Sequence, residues 1–107
     1  MFVDLPAVRP ARLFRALAAA DLSEEVRGFR DFVRGARGEP LPAGIRLRLR
    51  LDAPAIARLA ELVRAGADAL PFWGFRLLAD PPECWLEVTG EAEAGPMARA
   101  EFGALVA

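Results

Sequence analysis

Apolar and charged residues alternate one by one from residue 45 to residue 51, in the order Ile-Arg-Leu-Arg-Leu-Arg-Leu. This period of two is typical of a β-strand that has one face on a core and the other toward water. A looser alternation predicts two more strands, over residues 73–79 and 84–89, and the loop at residues 80–83 has the length of a hairpin connection. Residues 1–5 are predicted to form a further short strand.

Apolar residues spaced three and four apart predict four α-helices, over residues 10–20, 21–38, 53–65 and 95–106. Residues that favour helix ends support these limits. Asp21 opens the second helix as part of a capping box, and Gly38 ends it. Asp52 caps the third helix, and Gly66 ends its regular part. Residues 39–44, rich in proline and glycine, are predicted to be a loop.

The order of elements is ααβαββα after the short N-terminal strand, which places the chain in the α+β class. We expect one domain over residues 1–107, with a small mixed sheet of three or four strands and helices packed on one face. A right-handed crossover makes the strand at residues 45–51 parallel to that at 73–79, with the hairpin partner antiparallel. Residues 45–106 thus resemble part of a ferredoxin-like fold, a likeness that carries no function.

The alternation also assigns the two faces of the sheet. The face turned away from the helices carries cations around one large aromatic ring: Arg46, Arg48, Arg50, Arg76 and Trp85, together with Leu78, Glu87 and Thr89. Three interpretations are open. The arginines form cross-strand pairs with Glu87 and cover the indole ring, which is the interpretation we favour. Alternatively, the face is a dimer interface, or it binds phosphates at the arginines and stacks a base on the tryptophan.

A second row of cations lies on the predicted second helix. Arg27, Arg30, Arg34 and Arg37 recur at i, i+3, i+7 and i+10, which places them on one side of a helix. Such a row suits an anionic partner, the acidic second half of the chain, or water. Because acids lie one turn away, as Asp31 does from Arg34, local pairing on a solvated helix is the favoured interpretation.

Composition limits the chemistry that the chain can perform. All fourteen cations are arginines, since the sequence has no lysine, and histidine is also missing. We therefore predict no catalytic residue, no metal site and no cofactor. The single cysteine, Cys84, is phased toward the core and is interpreted as an inert buried thiol. An enzyme that works with carboxylates in a pocket near Trp73 and Trp85 is the least favoured hypothesis.

Charge is divided unevenly along the chain. Residues 9–50 hold ten arginines against five acids, whereas residues 51–107 hold four arginines against nine acids. This split favours a binding domain that self-associates, as a homodimer, over one that binds nucleic acid. A lone cysteine and the lack of a long apolar run predict a cytoplasmic protein without a membrane segment. The absence of asparagine and glutamine suits a thermostable chain.

Overall fold

The structure, a computed structural model, describes residues 2–5 and 26–106. Within these residues it contains five strands and three helices. In chain order they are β1 (Phe2–Leu5), α1 (Arg30–Val33), β2 (Arg37–Leu41), β3 (Gly44–Arg50), α2 (Ala53–Ala69), β4 (Gly74–Asp80), β5 (Glu83–Thr89) and α3 (Ala94–Val106). The predicted helix over residues 10–20 and the capping box at Asp21 lie outside the described residues.

The strands form one sheet in the order β1-β4-β5-β3-β2. Every hydrogen-bonded pair in it is antiparallel, so the expected mixed sheet is corrected. β3 and β4 do run in the same direction, as the crossover rule predicts, but β5 lies between them and pairs with both. This is the split βαβ arrangement of ferredoxin-like folds. The α+β class and the packing of helices against the sheet are confirmed.

The helices cover one face of the sheet and bury its apolar residues. α2 packs against β4 and β1, whereas α3 packs against β3, β5 and β2. The alternation along β3 is confirmed, because Ile45, Leu47 and Leu49 are buried while Arg48 and Arg50 are exposed. A group of aromatic rings fills the core between sheet and helices: Phe29, Phe72, Trp73, Phe75 and Phe102.

α2 begins as predicted and ends later. The Oδ1 atom of Asp52 accepts a hydrogen bond from the backbone N–H of Ala55 at 2.9 Å, which satisfies one of the unpaired donors of the first turn. The helix continues through Gly66 to Ala69. Gly66 lies against the ring of Phe29, where an added Cβ would be 3.1 Å from Cζ. This glycine therefore serves close packing inside the helix rather than its termination.

The predicted second helix is interrupted at residues 28–29 and ends earlier than expected. In its described part, α1 ends at Val33, and Gly35 has a φ of 77°, which breaks the helical path. Arg37 then begins β2, so neither the helix to Gly38 nor the loop over residues 39–44 is correct. β2 pairs along its whole length with β3. The guanidinium of Arg99 on α3 also donates a hydrogen bond to the carbonyl oxygen of Leu41, at 2.8 Å.

Candidate functional site

A row of alternating charges lies on the face of the sheet that the described helices leave uncovered. The strand register places four of its residues side by side, on β2, β3, β5 and β4: Glu39, Arg46, Glu87 and Arg76. At its centre, Glu87 is only 9% exposed and receives the Nε and Nη2 groups of Arg46, each at 2.7 Å. The Nη1 atom of Arg76 lies 4.0 Å from the other carboxylate oxygen of Glu87. The structure therefore shows the favoured cross-strand pairing for this row.

The neighbouring row differs in character. It lies on the same face, two residues away from the first row on each strand. In it the register aligns Arg37 with Arg48, Arg48 with Trp85, and Trp85 with Leu78. Trp85 and Leu78 are half-buried, and both arginines are exposed. This row thus joins a cationic half, on β2 and β3, to an apolar half, on β5 and β4.

A groove of about 630 Å³ opens beside the cationic half of that row. It lies where the end of α1, the start of β2 and the end of β3 meet. Its lining combines four arginines, two carboxylates and apolar side chains: Arg34, Arg37, Arg48 and Arg50, Asp31 and Glu83, and Phe32, Leu49 and Leu51, with Gly35 and Ala36 at the turn. A groove with these formal charges carries a net positive charge.

The four arginines are not equally engaged. The Nη1 atom of Arg50 lies 2.6 Å from one oxygen of Glu83, and the Nε atom of Arg48 lies 3.9 Å from the other. Within the described part of the chain, Arg34 and Arg37 form no ion pair. Since both are exposed, their guanidinium groups keep their donors available to a ligand in the groove.

The turn at Gly35 brings the two predicted sets of arginines together. From the sequence, Arg34 and Arg37 belong to a helix side, and Arg48 and Arg50 to a separate strand face. Because the helix ends at Val33 and the chain turns at Gly35 to pair with β3, the register places Arg37 directly opposite Arg48. Arg27 and Arg30 are exposed but do not line the groove. The single row of four arginines along one helix is therefore wrong.

The two tryptophans lie on opposite sides of the sheet. Trp73 is fully buried in the core, where its Nε1–H donates a hydrogen bond to the carbonyl oxygen of Ala94 at 2.8 Å. Trp85 is on the open face. The sheet therefore separates the two rings, so they do not face one shared pocket, and Glu91 and Glu93 are exposed.

Cys84 faces the core, as the alternation predicts. The thiol is buried, and its burial raises the pKa from 9.0 to about 11. A thiol with so high a pKa is almost wholly protonated at neutral pH and is a poor nucleophile. The geometry therefore gives Cys84 a packing role.

This pKa makes the stability of the domain sensitive to alkaline pH. The unfolded chain ionises its thiol near pH 9 and the folded chain near pH 11, so the free energy of unfolding should fall as pH rises between these values. We expect a loss of roughly 3 kcal/mol at full effect. No lysine or tyrosine exists in the sequence to titrate in this window. Urea unfolding at pH 8–11 measures the slope.

The matched control is Cys84→Ala, which removes the titrating group and should remove the slope, whatever its effect on absolute stability. An equal slope in both proteins would contradict the assignment of this pKa to Cys84.

Comparison of the chain with protein-family models, curated proteins and solved structures gives no match. Among the described residues, no helix is both long and apolar enough to cross a membrane. The same part of the chain holds no group of three or more histidine, cysteine or acidic side chains placed to bind a metal ion.

Proposed function

We propose that this domain binds anions that carry phosphate groups, and that the groove at the end of the sheet is the binding site. The observation that carries the proposal is the convergence of Arg34, Arg37, Arg48 and Arg50 on one groove, from two separate segments of the chain. Two of these arginines have no carboxylate partner in the described residues. A row of surface arginines that only serves solubility needs no such convergence.

Phosphate is the anion that this arrangement suits best. The guanidinium group is a planar fork of N–H donors that matches two phosphate oxygens at once. Arg48 and Arg50 already share Glu83, which also lines the groove. Because this carboxylate competes for the same donors, a ligand with several negative charges is favoured over one with a single charge.

The lining of the groove favours binding over catalysis. The groove is lined by arginines, two carboxylates and apolar groups. No described lining residue has a thiol, a hydroxyl or an imidazole in its side chain. Glu83 is paired with Arg48 and Arg50, so both of its carboxylate oxygens already have cationic neighbours. We therefore propose a domain without catalytic activity.

Charge reversal at the two unpaired arginines tests this function. The variant Arg34→Glu/Arg37→Glu should lose at least about tenfold in affinity for inorganic tripolyphosphate, because two attractive contacts become repulsive. Isothermal titration calorimetry at about 50 mM salt measures the affinity, and a second titration at about 200 mM salt should show weaker binding to the wild-type protein.

The matched control is Arg58→Glu/Arg64→Glu, on the exposed side of α2. It changes the net charge by the same amount, away from the groove, and should alter the affinity less than about threefold, since exposed charges at a distance are screened. Equal losses in the two double variants, or no tripolyphosphate binding by the wild-type protein, would overturn the proposal.

We further propose, from the charge split and the cysteine usage, that the protein is a cytoplasmic homodimer, as the sequence favours. Gel filtration coupled to light scattering at tens of micromolar protein tests the oligomeric state. A mass near 11.6 kDa would remove the homodimer.

A further inference from the structure

We infer that the anion is a single-stranded nucleic acid whose phosphates lie along Arg37 and Arg48 while one base stacks on Trp85. This inference rests on the proposed function, since it names the ligand class of the same groove. The inference is based on the row of Arg37, Arg48, Trp85 and Leu78, which extends from the groove across the open face of the sheet.

The register sets the spacing along this row. Neighbouring strands lie about 4.8 Å apart, and directly opposite residues have their Cβ atoms about 5 Å apart. Arg37, Arg48 and Trp85 occupy three successive strands in this way, on one face. A ligand that spans the row therefore meets two cations and then a flat aromatic surface within about 10 Å.

Trp85 is available for stacking, unlike the other tryptophan. Its side chain is half-buried on the open face, with Arg48 on one side in the register and Leu78 on the other. In the described residues it forms neither a hydrogen bond nor a ring contact. An indole in this setting offers a base an apolar surface bordered by positive charge, the combination by which proteins bind single strands without reading sequence.

The row of paired charges next to it limits where the ligand can lie. Glu39 and Glu87 alternate with Arg46 and Arg76 there, so that row carries no excess of cations. An anionic polymer is therefore directed along the row of Arg37, Arg48 and Trp85, and not across the whole sheet.

The openness of the face favours a polymer over a small phosphorylated compound. Binding sites for small molecules bury most of their ligand, whereas an exposed sheet contacts a base on one side only. A duplex is also disfavoured, because its bases are stacked within the helix and cannot reach the indole. In a single strand, phosphates and bases are both accessible, as the geometry requires.

Removal of the indole tests the stacking contact. We expect Trp85→Leu to bind a fluorescein-labelled twelve-nucleotide oligo-dT about tenfold more weakly than the wild-type protein does, and Trp85→Phe to lose less, because it keeps an aromatic ring. Fluorescence anisotropy at about 50 mM salt measures the affinity. Tripolyphosphate has no base, so calorimetry should show its affinity for both variants to lie within about twofold of wild type.

Two further arms use the same titration. An oligo-U of equal length distinguishes RNA from DNA. Tighter binding of oligo-U or of oligo-dT supports the inference and shows which sugar, ribose or deoxyribose, the protein prefers. An abasic oligodeoxynucleotide of equal length carries the phosphates without bases. The wild-type protein should bind it about as weakly as Trp85→Leu binds oligo-dT. Tryptophan emission should be quenched by oligo-dT in the wild-type protein and not in Trp85→Phe, since Trp73 is buried.

The possible failures are distinguishable. Equal affinity of oligo-dT for Trp85→Leu and the wild-type protein would overturn the stacking contact but leave phosphate binding in the groove. A failure of the wild-type protein to bind tripolyphosphate would overturn the proposed function as well. Tryptophan emission that responds to protein concentration but not to oligo-dT would assign the face to self-association and overturn the inference.

Discussion

Gly44→Ala is expected to destabilise the domain severely. Gly44 begins β3 and is paired on both sides, with Leu41 on β2 and with Thr89 on β5. A Cβ atom at this position would overlap the carbonyl oxygen of Val88 and lie 2.8 Å from the Cα atom of Thr89. Both are backbone atoms of a central strand, which cannot move without breaking two ladders of hydrogen bonds.

The expected cost is more than about 4 kcal/mol, within the range reserved for severe backbone strain and overpacking. Small domains have total stabilities of about 5–15 kcal/mol, so one methyl group removes a large share of this margin. Far-ultraviolet circular dichroism and urea titration measure the loss.

The matched control is Gly103→Ala, because Gly103 lies inside α3 and an added Cβ there meets no atom within 4 Å. This change should stabilise the domain by up to about 1 kcal/mol, since alanine has the higher helix propensity. A Gly44→Ala protein with a cooperative transition close to that of wild type would contradict the close approach of β3 and β5 at this point.

Phe29→Ala is expected to cost about 3–5 kcal/mol of unfolding free energy. Phe29 is fully buried and stacks on Phe75 with ring centroids 5.8 Å apart, and it meets the ring of Phe102 edge-on at 5.3 Å. Its ring also closes the space beside Gly66. One side chain thus joins the segment before α1 to the sheet, α2 and α3. Urea unfolding monitored by tryptophan fluorescence measures the change.

A double-mutant cycle makes this test specific. Gly66→Ala in the wild-type protein places a Cβ 3.1 Å from the Phe29 ring, whereas in the Phe29→Ala protein it enters the space that the ring has left. The second substitution should therefore be less destabilising, or stabilising, in the Phe29→Ala background. Additive effects of the two substitutions would contradict the contact between ring and helix.

The parts of the fold that depend on local pattern could be predicted from the sequence. The alternation at residues 45–51 identifies β3 and its faces, and Asp52 identifies the start of α2, because both signals act over a few residues. The helix through Gly38 was wrong for a related reason. The spacing of the arginines continues to Arg37, but the left-handed turn at Gly35 and the pairing with β3 determine the backbone there. Pairing between distant segments leaves little trace in local spacing.

The candidate site shows the same limit. Every arginine of the groove belongs to a set that the sequence marks as notable, yet the groove itself depends on the alignment of Arg37 with Arg48 across β2 and β3. Glu87 illustrates the opposite case. The sequence favours its pairing with arginines, and the register makes it the partner of both Arg46 and Arg76. Ion pairing thus distinguishes Arg46 and Arg76, which share a buried carboxylate, from Arg34 and Arg37, which pair with no described carboxylate.

The most direct measurement of the central claim is a nuclear magnetic resonance titration of the arginine Nε–Hε groups with inorganic tripolyphosphate. The sequence has fourteen arginines, and single Arg→Ala variants assign the four groove signals. We expect the signals of Arg34, Arg37, Arg48 and Arg50 to shift together with one dissociation constant, while those of Arg58 and Arg64 stay within the change caused by added salt. Shifts spread evenly over all fourteen signals would contradict a built anion site at this groove.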